Sequence, residues 1–239
     1  MNRTRKIIIS ILIIVVIGLI ALIAGAMFLG QNSHLTSGER NILVCAIDES
    51  ENRAGMGACD MAFIVTLDNG TLKTYAPVYP GGLSHPTASE PTEYQQQGAG
   101  PRLLLHDSFY DANNSKGMKF AKEIVESNTN ITIDDVVAIN CEGLDAILYA
   151  AGPLDIHGVQ TNASGIDIIR EETNNQGVSR GDAVMDIVRA LVVKSGDPDV
   201  KSAMVSAAVD QYSKGNIIMD SQGDFLGLLA SKGMEKLLG

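Results

Sequence analysis

The sequence contains none of the short motifs that mark the common hydrolytic and nucleotide-binding sites. No G-x-S-x-G, Walker A or HExxH pattern occurs, and the four histidines are scattered at positions 34, 85, 106 and 157. Acyl transfer and zinc-dependent hydrolysis therefore have no recognisable machinery. His106 precedes Asp107 and so has the local partner of a general base, although a lone His-Asp pair is more often structural.

Cysteine is scarce. The three cysteines, Cys45, Cys59 and Cys141, cannot all pair within one chain, and their spacing matches no metal or redox pattern. Cys45 and Cys141 lie in apolar, strand-like runs, where a free thiol behaves as a small hydrophobic group. We therefore expect these two in the core, whereas the position of Cys59, next to Asp60, stays open.

Basic residues are too few to balance the acids. The chain has 18 Lys and Arg against 28 Asp and Glu, a formal net charge of -10. Arg3, Arg5 and Lys6 carry three of the positive charges, which leaves -13 on everything after them. Such a charge repels a phosphate backbone, so we expect no nucleic-acid partner.

Residues 7–29 contain no charged side chain. As a helix this run spans about 34 Å, enough to cross a bilayer with some tilt. The basic residues before it predict a cytoplasmic N-terminus and an extracytoplasmic remainder. A cleaved signal peptide is the alternative because "AGA" resembles a cleavage site, but the apolar run is longer than a secretory signal usually has. The prediction is a single-pass cell-membrane protein.

The sequence divides into four segments. Residues 1–6 are a cytoplasmic tail, 7–29 the transmembrane anchor, 30–40 a polar tether, and 41–239 one extracytoplasmic domain. Strands and helices alternate irregularly in this domain. The order predicts an α/β fold, with α+β as the alternative, in which helices sandwich a central mixed sheet.

Two acids bracket the first turn of the predicted sheet. Asn41 to Ile47 and Met61 to Leu67 read as neighbouring antiparallel strands, with Asp48 after the first and Asp60 before the second. The two carboxylates would then share one edge of the sheet. Paired carboxylates can hold a hard divalent cation, although two solvated loop acids would give the same pattern.

Further along, "DNG" at residues 68–70 predicts a hairpin into a third strand. Tyr79 to Gly100 reads as one long loop. Three helices are predicted in the second half of the chain. The first is capped by Ser179 and has Arg180 in its first turn, the second begins at Asp197-Pro198, and the last runs from about Gln222 to Leu238. Arginine beside free N–H groups at a helix start would suit a phosphate, and a solvated surface arginine is the plainer interpretation.

Three blocks of sequence, in order, carry a family resemblance. They are "NILVCAID…GACDMAFIVTLDNGTLKTYAPVYP", "IDDVVAINCEGLDAILYAAGPLDIHG" and "SRGDAVMDIVRAL". Together they resemble the LytR-CpsA-Psr family and a related archaeal and bacterial domain of unknown function. Members of that family are single-pass extracytoplasmic α/β proteins that bind polyprenyl (pyro)phosphate lipids and transfer glycopolymers from them, with a magnesium ion at the pyrophosphate.

The resemblance implies roles for particular residues. Asp48 and Asp60 match the family's metal-binding acids, and Arg180 matches a phosphate-binding arginine of its late helix. Two family arginines are missing, one before the Asp60 position and one after the third strand. Arg53 or Arg102 is a candidate to replace them from a loop, with Arg102 assigned here to ligand binding beside Arg180.

The resemblance therefore implies an envelope protein that takes part in glycopolymer assembly and binds a polyprenyl lipid or envelope glycan. One form of this hypothesis is a magnesium-dependent phosphotransferase in which Asp48 and Asp60 hold the ion and Arg180 acts in catalysis. A second possibility is a non-catalytic lipid-binding or scaffold domain, and a third is a purely structural surface protein with no lipid ligand. Retained acids favour the enzyme, and depleted arginines favour the scaffold.

Overall fold

The computed structural model describes residues 34–51, 53–177, 179–221 and 223–224. Among these residues, no helix combines the length and the apolar character needed to cross a membrane. The predicted tail at 1–6, the anchor at 7–29, part of the tether at 30–40 and nearly all of the predicted last helix lie outside the described residues.

The described chain forms strands and helices in irregular alternation, as the sequence predicts. The strands are β1 (Glu39–Asp48), β2 (Ala58–Asp68), β3 (Thr71–Val78), β4 (Ser84–Ser89), β5 (Arg102–Leu104), β6 (Asp135–Asn140), β7 (Leu154–Ile156), β8 (Val159–Thr161) and β9 (Ile217–Met219). The helices are α1 (Thr92–Gln96), α2 (Asn114–Thr129), α3 (Cys141–Ala151), α4 (Gly165–Glu171), α5 (Arg180–Lys194) and α6 (Pro198–Lys214). A π-helical turn, Glu172–Gln176, follows α4.

Five strands form the central sheet in the order β3-β2-β1-β6-β9. β1 pairs in parallel with β6 and antiparallel with β2, and the remaining pairs are antiparallel. The sheet is therefore mixed, as predicted. The "DNG" hairpin is also confirmed, because Asn69 and Gly70 take left-handed φ values of 50° and 71° that suit a tight two-residue turn.

One face of the sheet packs against α2. Alternate β1 residues Leu43 and Cys45 point to this face and are fully buried with Phe109, Ile124 and Val125. The period-two alternation of a strand explains why their neighbours in the sequence point the other way.

The opposite face is covered by the later helices. Val44 of β1 and Met61 and Phe63 of β2 pack against Met185 of α5. Helices α3 to α6 form a second apolar cluster behind this layer, around Leu148 and Ile187 among others. The predicted α/β sandwich, with helices on both sides of a central mixed sheet, is confirmed.

The prediction of a single long loop from Tyr79 to Gly100 is wrong. This segment contains β4, which pairs with β5, and the short helix α1. Polar residues take core positions here: His85 is buried, contacts the ring of Phe120 edge-on and bonds Glu123 at 2.8 Å. Because the pattern of apolar residues is interrupted by these buried polar groups, periodicity does not reveal the strand.

The helix-start predictions on the second half of the chain hold. Ser179 caps α5 by accepting a hydrogen bond from the backbone N–H of Asp182. Asp197 caps α6 with Pro198 in the first turn, and Gly215 ends that helix at a left-handed φ of 83°. These residues fix where α5 begins and where α6 begins and ends.

Candidate functional site

An apolar cavity of about 210 Å³ lies between the sheet and helices α3, α4 and α5. Aliphatic and aromatic side chains from β1, β2 and the three helices make up most of its wall. They include Val44, Ala46, Met61, Phe63, Ile139, Leu144, Ile169, Val184, Ile187, Val188 and Leu191. A cavity of this kind suits an apolar ligand or an apolar part of a larger one.

The polar lining residues come from one edge of the sheet. Asp48 ends β1, Asn140 ends the parallel strand β6, and Asp60 lies near the start of antiparallel β2. Asp145 lies in α3, where its Oδ1 accepts a hydrogen bond from the backbone N–H of Gly165 at 2.8 Å. The cavity is therefore apolar within and carboxylate-lined at this edge.

Asp60 occupies a β-bulge. Ala46 pairs with Met61 and Ile47 with Cys59, so Asp60 is the extra residue on β2 with no partner of its own on β1. A bulge leaves the extra residue outside the ladder and re-aims its side chain. This irregularity is why Asp60 faces the cavity edge although the residues on either side of it are buried.

The Asp60 carboxylate also meets a histidine that follows β5. Nε2 of His106 lies 3.4 Å from Oδ1 of Asp60 and 3.4 Å from Oε1 of Glu51. The other ring nitrogen, Nδ1, is 3.0 Å from Asp107. Glu51, Asp60 and His106 thus have ligand atoms close enough together to hold one metal ion.

His106 is charged in this arrangement. Its hydrogen bonds to Asp107 and Asp60 raise its pKa from 6.5 to about 10, against the opposing effect of burial. The imidazolium therefore neutralises part of the Asp60 charge at neutral pH, and it would have to lose a proton before it could bind a metal.

Arg53 is held inside this network. Its side chain is only 5% exposed, and its guanidinium lies 2.5 Å from Asp107 and 2.7 Å from Glu51. The same group lies 4.6 Å from the ring centre of Tyr94. Because these contacts hold the guanidinium in place, Arg53 is poorly suited to replace a missing phosphate-binding arginine.

The predicted site residues fall in different places. Asp48 and Asp60 line the same cavity, as expected for a shared edge. Arg102, in β5, is not among the residues that line the cavity, and its guanidinium donates a hydrogen bond to the carbonyl oxygen of Thr87 at 2.5 Å on an exposed surface. Arg180 begins α5 as predicted, and its side chain lies outside the described part of the structure.

The cysteines differ from expectation in one respect. Cys45 and Cys59 are fully buried. Cys59, whose location the sequence left undecided, therefore belongs to the core. Cys141 begins α3 instead of ending a strand, and it is half-buried in the cavity wall. Burial raises the pKa of the Cys141 thiol, which keeps it protonated and unreactive at neutral pH.

Sequence reasoning missed Asp145, Asn140 and the contact between His106 and Asp60. Asn140 and Asp145 follow directly from the "INCEGLD" block, because parallel β1 and β6 end at the same edge. The His106 contact had no comparable signal, since it depends on how the segment after β5 returns to β2.

The fold places the molecule in a known structural class. TagV from B. subtilis superposes with a TM-score of 0.55 at 17% identity, covering 82% of this chain and 80% of that one. The gbs0355 protein of Streptococcus agalactiae gives 0.55 at 15% identity, with 83% and 75% covered. TagT, solved bound to LI-WTA, gives 0.51 at 14% identity, with 83% and 76% covered. These likenesses define a LytR-CpsA-Psr-like fold.

A family model gives the closer assignment. Residues 37–173, more than half of the chain, match the model described as "Protein of unknown function (DUF4012)", and the chain belongs to that family. A search of curated proteins found no match to the sequence.

Proposed function

We propose that this chain is a membrane-anchored extracytoplasmic protein that binds a polyprenyl-(pyro)phosphate-linked glycan and acts in the assembly of a cell-envelope glycopolymer. The observation that carries the proposal is the apolar cavity between the sheet and α3 to α5, with Asp48, Asp60 and Asp145 in its lining. The prenyl chain enters the cavity, and the phosphates stay at the carboxylate edge.

The cavity lining supports an apolar occupant. Each buried methylene contributes about 0.8 kcal/mol to binding, so a prenyl segment gains affinity without any polar contact. The one-sided distribution of carboxylates then orients the lipid, because the charged head group cannot follow the chain into the apolar interior.

The carboxylates alone would repel phosphate, so the head group needs a cation. Asp48 and Asp60 offer hard oxygen ligands from adjacent strands, which suits Mg²⁺. Oδ1 of Asp48 already accepts from the backbone N–H of Ser50 at 2.7 Å, which orients this carboxylate. Bound there, Mg²⁺ would neutralise charge on the phosphates. Both acids line the same edge of the cavity, and the imidazolium of His106, which pairs with Asp60, would compete with the ion for that carboxylate.

Two further features support an anionic head group at this edge. Helix α3 begins at Cys141 in the cavity lining, and the free N–H groups of a helix start favour anions. TagT, which shares the fold, was solved bound to LI-WTA. The sequence resemblance to a family that binds polyprenyl pyrophosphates points the same way.

Glycopolymer transfer is the second candidate function, and the position of Arg180 favours it. Arg180 opens α5, the helix whose Val184 and Val188 line the cavity. An arginine at that point is suited to stabilise a leaving phosphate. Against transfer stands the fact that neither candidate for a second phosphate-binding arginine is well placed, because Arg53 is bound in its ion pairs and Arg102 lies outside the cavity lining.

The direct test is native mass spectrometry of the full-length protein extracted from membranes in mild detergent. We expect a co-purified mass that fragments to a polyprenyl phosphate. Recovery of the bare protein only, from cells that make such lipids, would contradict lipid binding.

A second experiment tests the membrane anchor. Protease added outside intact cells should digest residues beyond Gln31 and spare an N-terminal tag; the reverse pattern would contradict the anchor.

A further inference from the structure

A second cluster of ligating groups lies outside the cavity lining. His157 occupies the turn between β7 and β8, Glu172 begins the π-helical turn after α4, and Asp186 belongs to α5. Nε2 of His157 lies 3.0 Å from Oδ2 of Asp186 and 3.5 Å from Oε1 of Glu172. The three ligand atoms all lie within 4.8 Å of one another.

Glu172 is the buried member of this cluster. The residue is 2% exposed, yet neither carboxylate oxygen has a hydrogen-bond partner. A buried carboxylate that accepts no hydrogen bond is costly, because it has lost its water and keeps, among the described contacts, only a 3.5 Å ion pair between Oε1 and His157. A cation at this point would supply a partner for Oε1.

The backbone is unusual at two of the three positions. His157 is not glycine but takes a left-handed φ of 52°, a conformation that costs energy in most residues. Glu172 opens a π-helical turn, a rare local structure found frequently at functional sites.

The distances suit a transition-metal ion. Ligands at about 2.0–2.1 Å from a tetrahedral Zn²⁺ are about 3.3 Å from each other. The two measured separations, 3.0 and 3.5 Å, fall on either side of that value. One imidazole and two carboxylates also match the donors that Zn²⁺ accepts, and two negative charges balance the ion.

We propose that His157, Glu172 and Asp186 form a binding site for a divalent transition-metal ion of the Zn²⁺ type. The ion joins the β7–β8 turn, the π-helical turn and helix α5. His157 is half exposed, so solvent reaches the site and water can complete the coordination. The second oxygen of Asp186 stays on Arg189, at 2.5 Å, and fixes the orientation of the ligand.

The test is Zn²⁺ titration of the full-length, chelator-treated protein by calorimetry, in a background that combines Asp60→Asn with His34→Gln. These substitutions weaken the two other clusters of ligating groups in the described residues, Glu51–Asp60–His106 and His34–Asp135–Asp224. Glu172→Gln removes one ligand with almost no change of shape, and Glu171→Gln alters the exposed neighbour as a matched control. His157→Ala removes a second ligand at a half-exposed position where folding is least at risk.

We expect one equivalent of Zn²⁺ to bind in the background protein and in Glu171→Gln, and at least tenfold weaker binding in both Glu172→Gln and His157→Ala. Either of two results would overturn the site. One is no zinc binding up to about 1 mM in the background protein. The other is binding that neither ligand substitution weakens.

Discussion

Nε2 of His106 lies 3.4 Å from a carboxylate oxygen of Asp60, the bulged residue of β2. This contact puts a positive charge beside an acid that the sequence assigns to a metal. Imidazolium and metal ion therefore compete for the negative charge of Asp60, and the protonation of His106 becomes the first property to test.

We expect His106→Gln to lower stability in a pH-dependent way. The pKa of His106 is about 10 in the folded protein and 6.5 ordinarily. A raised pKa stabilises the fold fully below pH 6.5, and the contribution disappears as pH rises to about 10. After allowance for solvent screening at a side chain that is 33% exposed, we expect a loss of about 1–2 kcal/mol at pH 7.

The measurement is urea unfolding of wild type and His106→Gln at pH 7 and pH 10. The difference between the two proteins should shrink at the higher pH. A difference that is equal at both pH values would mean that His106 acts through packing instead of charge.

Arg53→Ala should be strongly destabilising. The side chain is buried and its guanidinium lies 2.5 Å from Asp107, which is itself only 6% exposed. Removing the arginine leaves a buried carboxylate with one cationic partner fewer, at a cost of about 3 kcal/mol. Arg102→Ala is the control, because that exposed arginine bonds only a carbonyl oxygen among the described contacts and should change stability by under about 1 kcal/mol. Similar losses in both variants, measured by urea unfolding, would contradict this account.

Asp60→Asn should abolish stabilisation by magnesium. An ion that binds only the folded state raises the melting temperature by mass action. We expect wild type to melt at a higher temperature in millimolar Mg²⁺ than in chelator, and Asp60→Asn to melt at the same temperature in both. Asp68→Asn, an exposed acid at the far end of β2, should retain the shift. A wild type with no magnesium-dependent shift would remove the metal from the proposed site.

The sheet and several helix starts were predictable because the signals are local. Apolar runs, the "DNG" turn, and the Ser179 and Asp197 caps each determine structure within a few residues. The β4–β5 pair was not predictable, because His85 and Glu90 are buried polar residues whose partners lie far away in the sequence. Glu90, for example, accepts a hydrogen bond from the N–H of Leu104.

The candidate site was also predictable only in part. Asp48 and Asp60 were found because each stands at the end of an apolar run, and the register confirms that these ends meet. The contacts of His106 and Arg53 required the tertiary structure, since the segments that carry them are joined only by folding. The sequence shows that two of the family's arginines are missing, but it does not show that Arg53 is buried.

Arg180→Ala distinguishes transfer from binding. In a transferase this arginine stabilises the leaving phosphate, so its loss should lower single-turnover transfer from a synthetic polyprenyl-pyrophosphate sugar by roughly a hundredfold. Lys194→Ala, at the opposite end of the same helix, is the control and should transfer normally. Transfer by wild type that is indifferent to Arg180 would refute its catalytic role. No transfer by wild type over a range of donors would favour the binding function alone.

The central claim is that the cavity holds a prenyl chain, and filling the cavity tests it most directly. Val188 of α5 lines the cavity, whereas Val193 of the same helix is 78% exposed. The measurement is equilibrium binding of a defined polyprenyl phosphate to wild type, Val188→Phe and Val193→Phe, each first shown to be folded by circular dichroism. We predict that Val188→Phe binds at least tenfold more weakly than the other two, because its ring takes the space of several methylenes. Equal binding by all three proteins would contradict the account.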